Sequence, residues 1–119
     1  MEKFSSVDEL VNTLKPVDPV YCIRPTTIKT SIDFFRSNFP GKILYAVKTN
    51  PNIFVLKQII KNNINNFDVA SLNEIKIIKK LKSDARMYFM HTVKSREDIR
   101  EAYYNYGIRD FALDTKEEL

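Results

Sequence analysis

Lys48 closes the apolar run Ile43-Leu-Tyr-Ala-Val-Lys48-Thr-Asn50, and a helix-start signal, Asn50-Pro51, overlaps its end. An amine delivered by the end of a short strand, just before a helix, is placed where nucleophilic or covalent chemistry is done. If the run is extended, Leu44, Ala46 and Lys48 share one face, and the small methyl of Ala46 leaves room for a flat ligand beside the amine. From spacing alone, Lys48 also reads as a solvated lysine at a strand end. Further along, Asp68 and Ala70 share a face in the run Phe67-Asp-Val-Ala70. A carboxylate on an interior face is costly unless paired. Asp68 therefore reads either as a structural acid that caps a neighbouring helix or as a functional one.

These residues need elements to hold them. Four short apolar segments, residues 43–47, 67–70, 87–90 and 111–113, recur at near-regular intervals, each followed by a helix-start signal. Asn50-Pro51 pairs an N-cap residue with proline at the first helical position. Ser71-Leu-Asn-Glu74 and Thr115-Lys-Glu-Glu118 are capping boxes, and Ser95-Arg-Glu-Asp98 is the aspartate version. Between them, Phe54, Val55, Ile59 and Ile60, then Leu72, Ile75, Ile78 and Leu81, then Ile99, Ala102, Tyr103 and Tyr106 follow helical spacing. Strands alternating with helices predict a parallel sheet, so the fold class is α/β. Upstream, the sequence predicts a helix over 7–14, a turn over 15–19, a short strand over 20–23 and a helix over 26–38, with Arg24-Pro25 separating the last two.

Composition narrows the function classes. With 119 residues, 44% hydrophobic and 29% charged, the chain has the balance of one globular domain or part of one. The net charge of +4 is scattered, which is the pattern of a solvated surface and argues against nucleic-acid binding. Cys22 is the single cysteine, so there is no intrachain disulfide, and no Cys/His cluster offers metal-ligand spacing. A reducing cytoplasm fits best. No apolar run approaches the length of a membrane span or a leader peptide, and Lys116-Glu-Glu-Leu119 reads as an interrupted helix.

The string Tyr45-Ala-Val-Lys48-Thr-Asn50-Pro51, followed by Phe67-Asp-Val-Ala-Ser71-Leu-Asn-Glu74-Ile, resembles the pyridoxal phosphate (PLP) decarboxylases of basic amino acids. These include the ornithine, lysine and diaminopimelate decarboxylases, built on the alanine-racemase-like barrel. Tyr88-Phe-Met-His-Thr-Val-Lys-Ser95, then Tyr106-Gly-Ile and Phe111-Ala-Leu-Asp114, continue the resemblance in the same order. The His-Thr-Val-Lys version of the third unit looks most like the bacterial ornithine/lysine branch, in which proline commonly replaces Thr92.

The resemblance implies a partial, half TIM-type β/α barrel of about four parallel strands with an N-terminal helical arm. Residues 1–40 would form the arm and 41–119 the first four β/α units. It gives Lys48 the role of the lysine that forms the Schiff base with PLP, and places Ala46 and Asp68 beside the cofactor; Glu74 also matches a position near it. A substrate amine would displace Lys48, and the pyridinium ring would take up the electrons left by carbon dioxide. The product would be a diamine destined for polyamines. A lysine of ordinary pKa, about 10.4, is neutral in about one molecule in 2,500 at pH 7, so such chemistry needs a pocket that favours the neutral amine.

Other parts of such a site are not evident in the sequence. PLP needs a phosphate cradle, usually a glycine-rich turn at a helix N-terminus. Gly41 and Gly107 precede strands and fall at the opposite face. The chain is accordingly expected to be an N-terminal portion that is inactive alone. The competing reading is a non-catalytic remnant, or an interaction fragment whose open sheet edges pair with a complementary chain or form a homodimer. The remaining residues have simpler readings. Glu74 caps with Ser71, and His91 is structural. Lys94, Arg96 and Arg100 form a solvated basic face with a minor prospect of phosphate contact. Tyr103, Tyr104 and Tyr106 pack, and Cys22 has no catalytic role.

Overall fold

In the computed structural model, which describes residues 2–118, a four-stranded parallel sheet organises the chain. Strands β1 (Tyr45–Ala46), β2 (Asn66–Val69), β3 (Arg86–Phe89) and β4 (Asp110–Phe111) lie side by side in sequence order. The register aligns Tyr45 with Phe67 and Met87, and Ala46 with Asp68, Tyr88 and Asp110. Because side chains alternate, the sheet has two unlike faces. One carries Phe67, Val69, Met87, Phe89 and Phe111. The other carries Ala46, Asn66, Asp68, Arg86, Tyr88 and Asp110.

Helices cover the apolar face. In α3 (Ile53–Lys61), α4 (Leu72–Leu81) and α5 (Arg96–Tyr106), the residues Leu56, Ile75, Ile78 and Ala102 are fully buried and join Phe67, Val69 and Phe89 in one core. Each such side chain is worth about 1.5–3 kcal/mol relative to exposure, less for alanine. Each helix begins where a side chain satisfies a free backbone N–H. The Ser71 hydroxyl accepts from the Glu74 N–H at 3.3 Å, and the Ser95 hydroxyl accepts from the Asp98 N–H at 3.0 Å. Gly107 ends α5 with φ +71, a left-handed conformation that glycine adopts without strain.

Two helices precede the sheet, α1 (Val7–Leu14) and α2 (Pro25–Asn38), the latter with proline at its first position. α1 has no buried residue, whereas α2 buries Ile32 in the core and packs against α3. Among the described residues no helix is long and apolar enough to cross a membrane, and no cluster of His, Cys, Asp or Glu could hold a metal ion.

Four expectations need correction. Residues 20–23 form no strand: they have no neighbouring strand to complete a ladder, and only Ile23 among them packs against the core. The first core strand is shorter than expected, because Val47–Thr49 turns into a 3-10 helix after Ala46. The third helix starts later than Asn50-Pro51 predicts. Asn52 is its cap, accepting from the Phe54 N–H at 2.9 Å, and the helix begins at Ile53. At the end of the chain a 3-10 turn, Lys116–Glu118, stands where a helix was expected, and Leu119 lies outside the described residues.

The one-sided core makes a direct prediction. Phe67→Ala should destabilise the chain by about 3–5 kcal/mol in urea unfolding, because a fully buried ring is lost from its centre. Tyr104→Ala, at a ring 76% exposed on α5, should change stability by no more than about 0.5 kcal/mol.

Candidate cofactor site at the ends of the strands

Lys48 is placed by its neighbour. Val47 is fully buried in the core, so the 3-10 turn that follows β1 is anchored by its first residue. With that side chain committed inward, Lys48 and Thr49 fall on the exposed side. The Lys48 amine has no hydrogen-bond or ion-pair partner among the described residues. It stands just beyond the C-terminal end of β1. Two residues earlier, Ala46 lies opposite Asp68 on the open face of the sheet.

A small hydrogen-bond network holds the turn. The Tyr45 hydroxyl donates to the Asn50 carbonyl at 3.2 Å, and the Asn50 side-chain oxygen accepts from the Asn52 N–H at 3.1 Å. The Asn50 side-chain amide donates to the Tyr21 hydroxyl, reaching back to the segment before α2. Burial, with a smaller contribution from nearby Tyr21, pushes the Tyr45 hydroxyl pKa above its ordinary value, so this donor stays protonated through the neutral range.

Asp68 is half-buried and makes no hydrogen bond or ion pair among the described residues. It does not cap a helix among the described residues. Glu74 does the capping: its carboxylate accepts from the Ala70 N–H at 2.8 Å while its own N–H bonds Ser71. The reciprocal bond goes one residue upstream of the capping-box pattern, to Ala70 and not to Ser71. In the same row of the open face as Ala46 and Asp68, Tyr88 accepts from the Lys42 amine at 3.0 Å, and Asp110 pairs with Arg86 at 3.0 Å.

Lys94 is the residue that sequence reasoning placed wrongly. It is half-buried, not part of a solvated face, and its amine donates to the carbonyls of His91 at 2.7 Å, Thr92 at 3.0 Å and Ala112 at 2.6 Å. The first two acceptors lie in the loop after β3 and the third just past β4. A single cation therefore ties the C-terminal ends of two neighbouring strands together. Charge-assisted bonds of this kind are the strong ones. No local motif foretells it, because the Ala112 carbonyl is remote in sequence. His91 is exposed; its carbonyl serves Lys94, and its ring has no hydrogen bond among the described residues. Cys22 is exposed, and Gly41 and Gly107 both precede strands, away from the Lys48 end.

A cavity of about 660 Å³ lies beside β1 and under α2; Ile28, Ile32, Leu44, Val55 and Ile59 form its apolar side, and Tyr21, Arg24, Tyr45, Thr49 and Asn50 its polar one. Lys48 is not among its lining residues, although Ala46 and Thr49 on either side of it are.

An exposed, unpartnered lysine thus stands at the C-terminal end of a parallel strand, with a small residue and a free carboxylate on the adjoining face. Comparison with known proteins identifies the class. Residues 26–119 match the family described as pyridoxal-dependent decarboxylase, pyridoxal binding domain, and the chain belongs to that family. Its cofactor is pyridoxal phosphate.

A search of curated protein sequences finds no match. Among solved structures, lysine decarboxylase from Selenomonas ruminantium is 26% identical, with a TM-score of 0.81 over 99% of this chain and 31% of its own. The arginine decarboxylase of Paramecium bursaria Chlorella virus is 32% identical, with a TM-score of 0.82 over 92% of this chain and 30% of its own. A structure of SrLDC in complex with PLP and cadaverine is 27% identical, with a TM-score of 0.79 over 99% of this chain and 32% of its own. The chain thus spans about a third of the length of the solved relatives it matches. The likeness makes the four-stranded α/β sheet part of a barrel.

The residues at the strand ends fit the cofactor in one respect that the structure tests directly: the amine of Lys48 is exposed and uncommitted, while that of Lys94 is engaged by three carbonyls. Lys94→Met, which keeps most of the stem and removes the donors, should lower stability by about 1.5–3 kcal/mol. Lys48→Met should stay within about 0.5 kcal/mol of the parent, as measured by thermal or urea unfolding.

Proposed function

We propose that the chain is the cofactor-holding N-terminal portion of a PLP-dependent decarboxylase of basic amino acids, with Lys48 as the residue that holds PLP covalently. The observation that carries this reading is the free Lys48 amine, in a chain whose residues 26–119 belong to the pyridoxal-binding family. In this reading residues 1–40 are an arm and residues 41–119 the first four β/α units of the barrel. Ala46 leaves space beside the amine, and Asp68 offers a carboxylate on the adjoining face. When bound, PLP supplies an electron sink for the bond to the departing carboxylate. The protein's part is to present the amine and close the helix-covered side to water.

The substrate we infer is lysine or ornithine, decarboxylated to a diamine for polyamine synthesis in the cytoplasm. Support comes from the motif resemblance and from the lysine and arginine decarboxylases among the solved relatives. The open edges of β1 and β4 would pair with further strands, from the same chain or from a complementary one. These 119 residues by themselves would not turn substrate over, since neither glycine stands at the Lys48 end to form the turn that would bind the cofactor's phosphate.

Borohydride reduction of the chain mixed with stoichiometric PLP, followed by peptide mapping, tests the assignment. Selective, saturable modification of Lys48, abolished in Lys48→Ala without transfer to another lysine, is the expected result. Modification scattered over the exposed lysines and unchanged by the substitution would overturn it.

A further inference from the structure

Lys48 sits on a turn that is held from one side by the core and from the other by a segment remote in sequence. Val47 anchors the core side. On the other side, Asn50 is bonded three ways: its carbonyl to the Tyr45 hydroxyl, its side-chain oxygen to the Asn52 N–H, and its side-chain amide to the Tyr21 hydroxyl. The first two bonds are local and would form wherever the turn lay. The third is different, because Tyr21 belongs to the irregular segment between α1 and α2. That segment is itself fixed: Ile23 packs on the core, and α2 starts at Pro25 and buries Ile32. Tyr21 therefore transmits the position of α2 to the turn that carries Lys48.

We propose that Tyr21 is a positioning residue for Lys48, acting through Asn50. The proposal rests on the reading of Lys48 as the cofactor lysine. Its physical content is that the hydroxyl of Tyr21, not its ring, restrains Asn50 and with it the 3-10 turn Val47–Thr49. The ring is 69% exposed and contributes little packing, so the bond can be removed without disturbing the core. Asn50→Asp supplies a rescue, since the carboxylate can accept from the Tyr21 hydroxyl and also from the Asn52 N–H. The bond would then persist with donor and acceptor exchanged.

The test uses the 119-residue chain as Tyr21→Phe, Asn50→Asp and the double variant, with Tyr104→Phe as a control hydroxyl removed from α5. Two readouts are taken. Amide hydrogen exchange at Asn52 and Phe54, measured without cofactor, reports whether the turn is held. The rate of borohydride-trapped PLP attachment at Lys48, relative to the other lysines, reports whether holding it matters. Tyr21→Phe should raise exchange at Asn52 and lower relative attachment at Lys48 by about three- to tenfold each, the factor that one net hydrogen bond is worth. Exchange at Phe67 to Val69 should not change. In exchange, Asn50→Asp alone should stay near the parent, and the double variant should match Tyr21→Phe. Unchanged exchange in Tyr21→Phe would overturn the proposal. So would faster exchange with unchanged attachment, which would make Tyr21 merely structural. If the parent chain shows no preference for Lys48 at all, the cofactor assignment fails, the positioning role fails with it, and exchange still decides whether Tyr21 holds the turn.

Discussion

Everything at the candidate site depends on the burial of one face of a parallel sheet. Phe67, Val69 and Phe89 are almost fully removed from solvent against Leu56, Ile75 and Ile78, and that single apolar layer fixes which way every strand residue points. A one-residue slip of any strand would turn a ring outward and put a polar residue under the helices. The opposite face is consequently reserved for residues with other uses: Ala46, Asp68, Tyr88 and Asp110 lie side by side in register there. Beyond the last paired residue of β1, the same layer claims Val47 and leaves Lys48 outside.

Two lysines near the C-terminal ends of the strands show how the fold assigns roles to identical side chains. Lys94 is drawn in by three carbonyls and binds the loop after β3 to the end of β4. Lys48 has no such acceptors. An amine engaged by backbone oxygens is shielded from reagents, whereas an unpartnered amine at a strand end is open to them. Of these two strand-end lysines, only Lys48 is left with an amine that the backbone has not engaged.

Much of this was legible in the sequence, for local reasons. Alternation within 67–70 and 87–90 located the second and third strands, and the Ser71 and Ser95 caps lie within three residues of their partners, so a short window contains the whole interaction. Readings that failed did so where the deciding partner was absent or lay elsewhere. Residues 20–23 have strand-forming side chains but no strand to pair with. Asn50 looked like a helix cap because it precedes proline, yet its side chain is spent on the Asn52 N–H and on Tyr21, so the helix waits for Asn52. Lys94 looked like a surface charge because its third acceptor, Ala112, is brought beside it only when β4 docks on β3. The family resemblance in the motifs around Lys48 and Ser71 was readable because both strings are continuous.

The central claim is that the fold leaves Lys48 available and takes Lys94 out of play. Competitive trace acetylation of the native chain, with the modification of each lysine read by mass spectrometry and normalised to the unfolded chain, measures this for both amines in one experiment. The account predicts that Lys48 reacts nearly as fast as in the unfolded chain while Lys94 is strongly protected. Equal reactivity of the two, or protection of Lys48 alone, would contradict it.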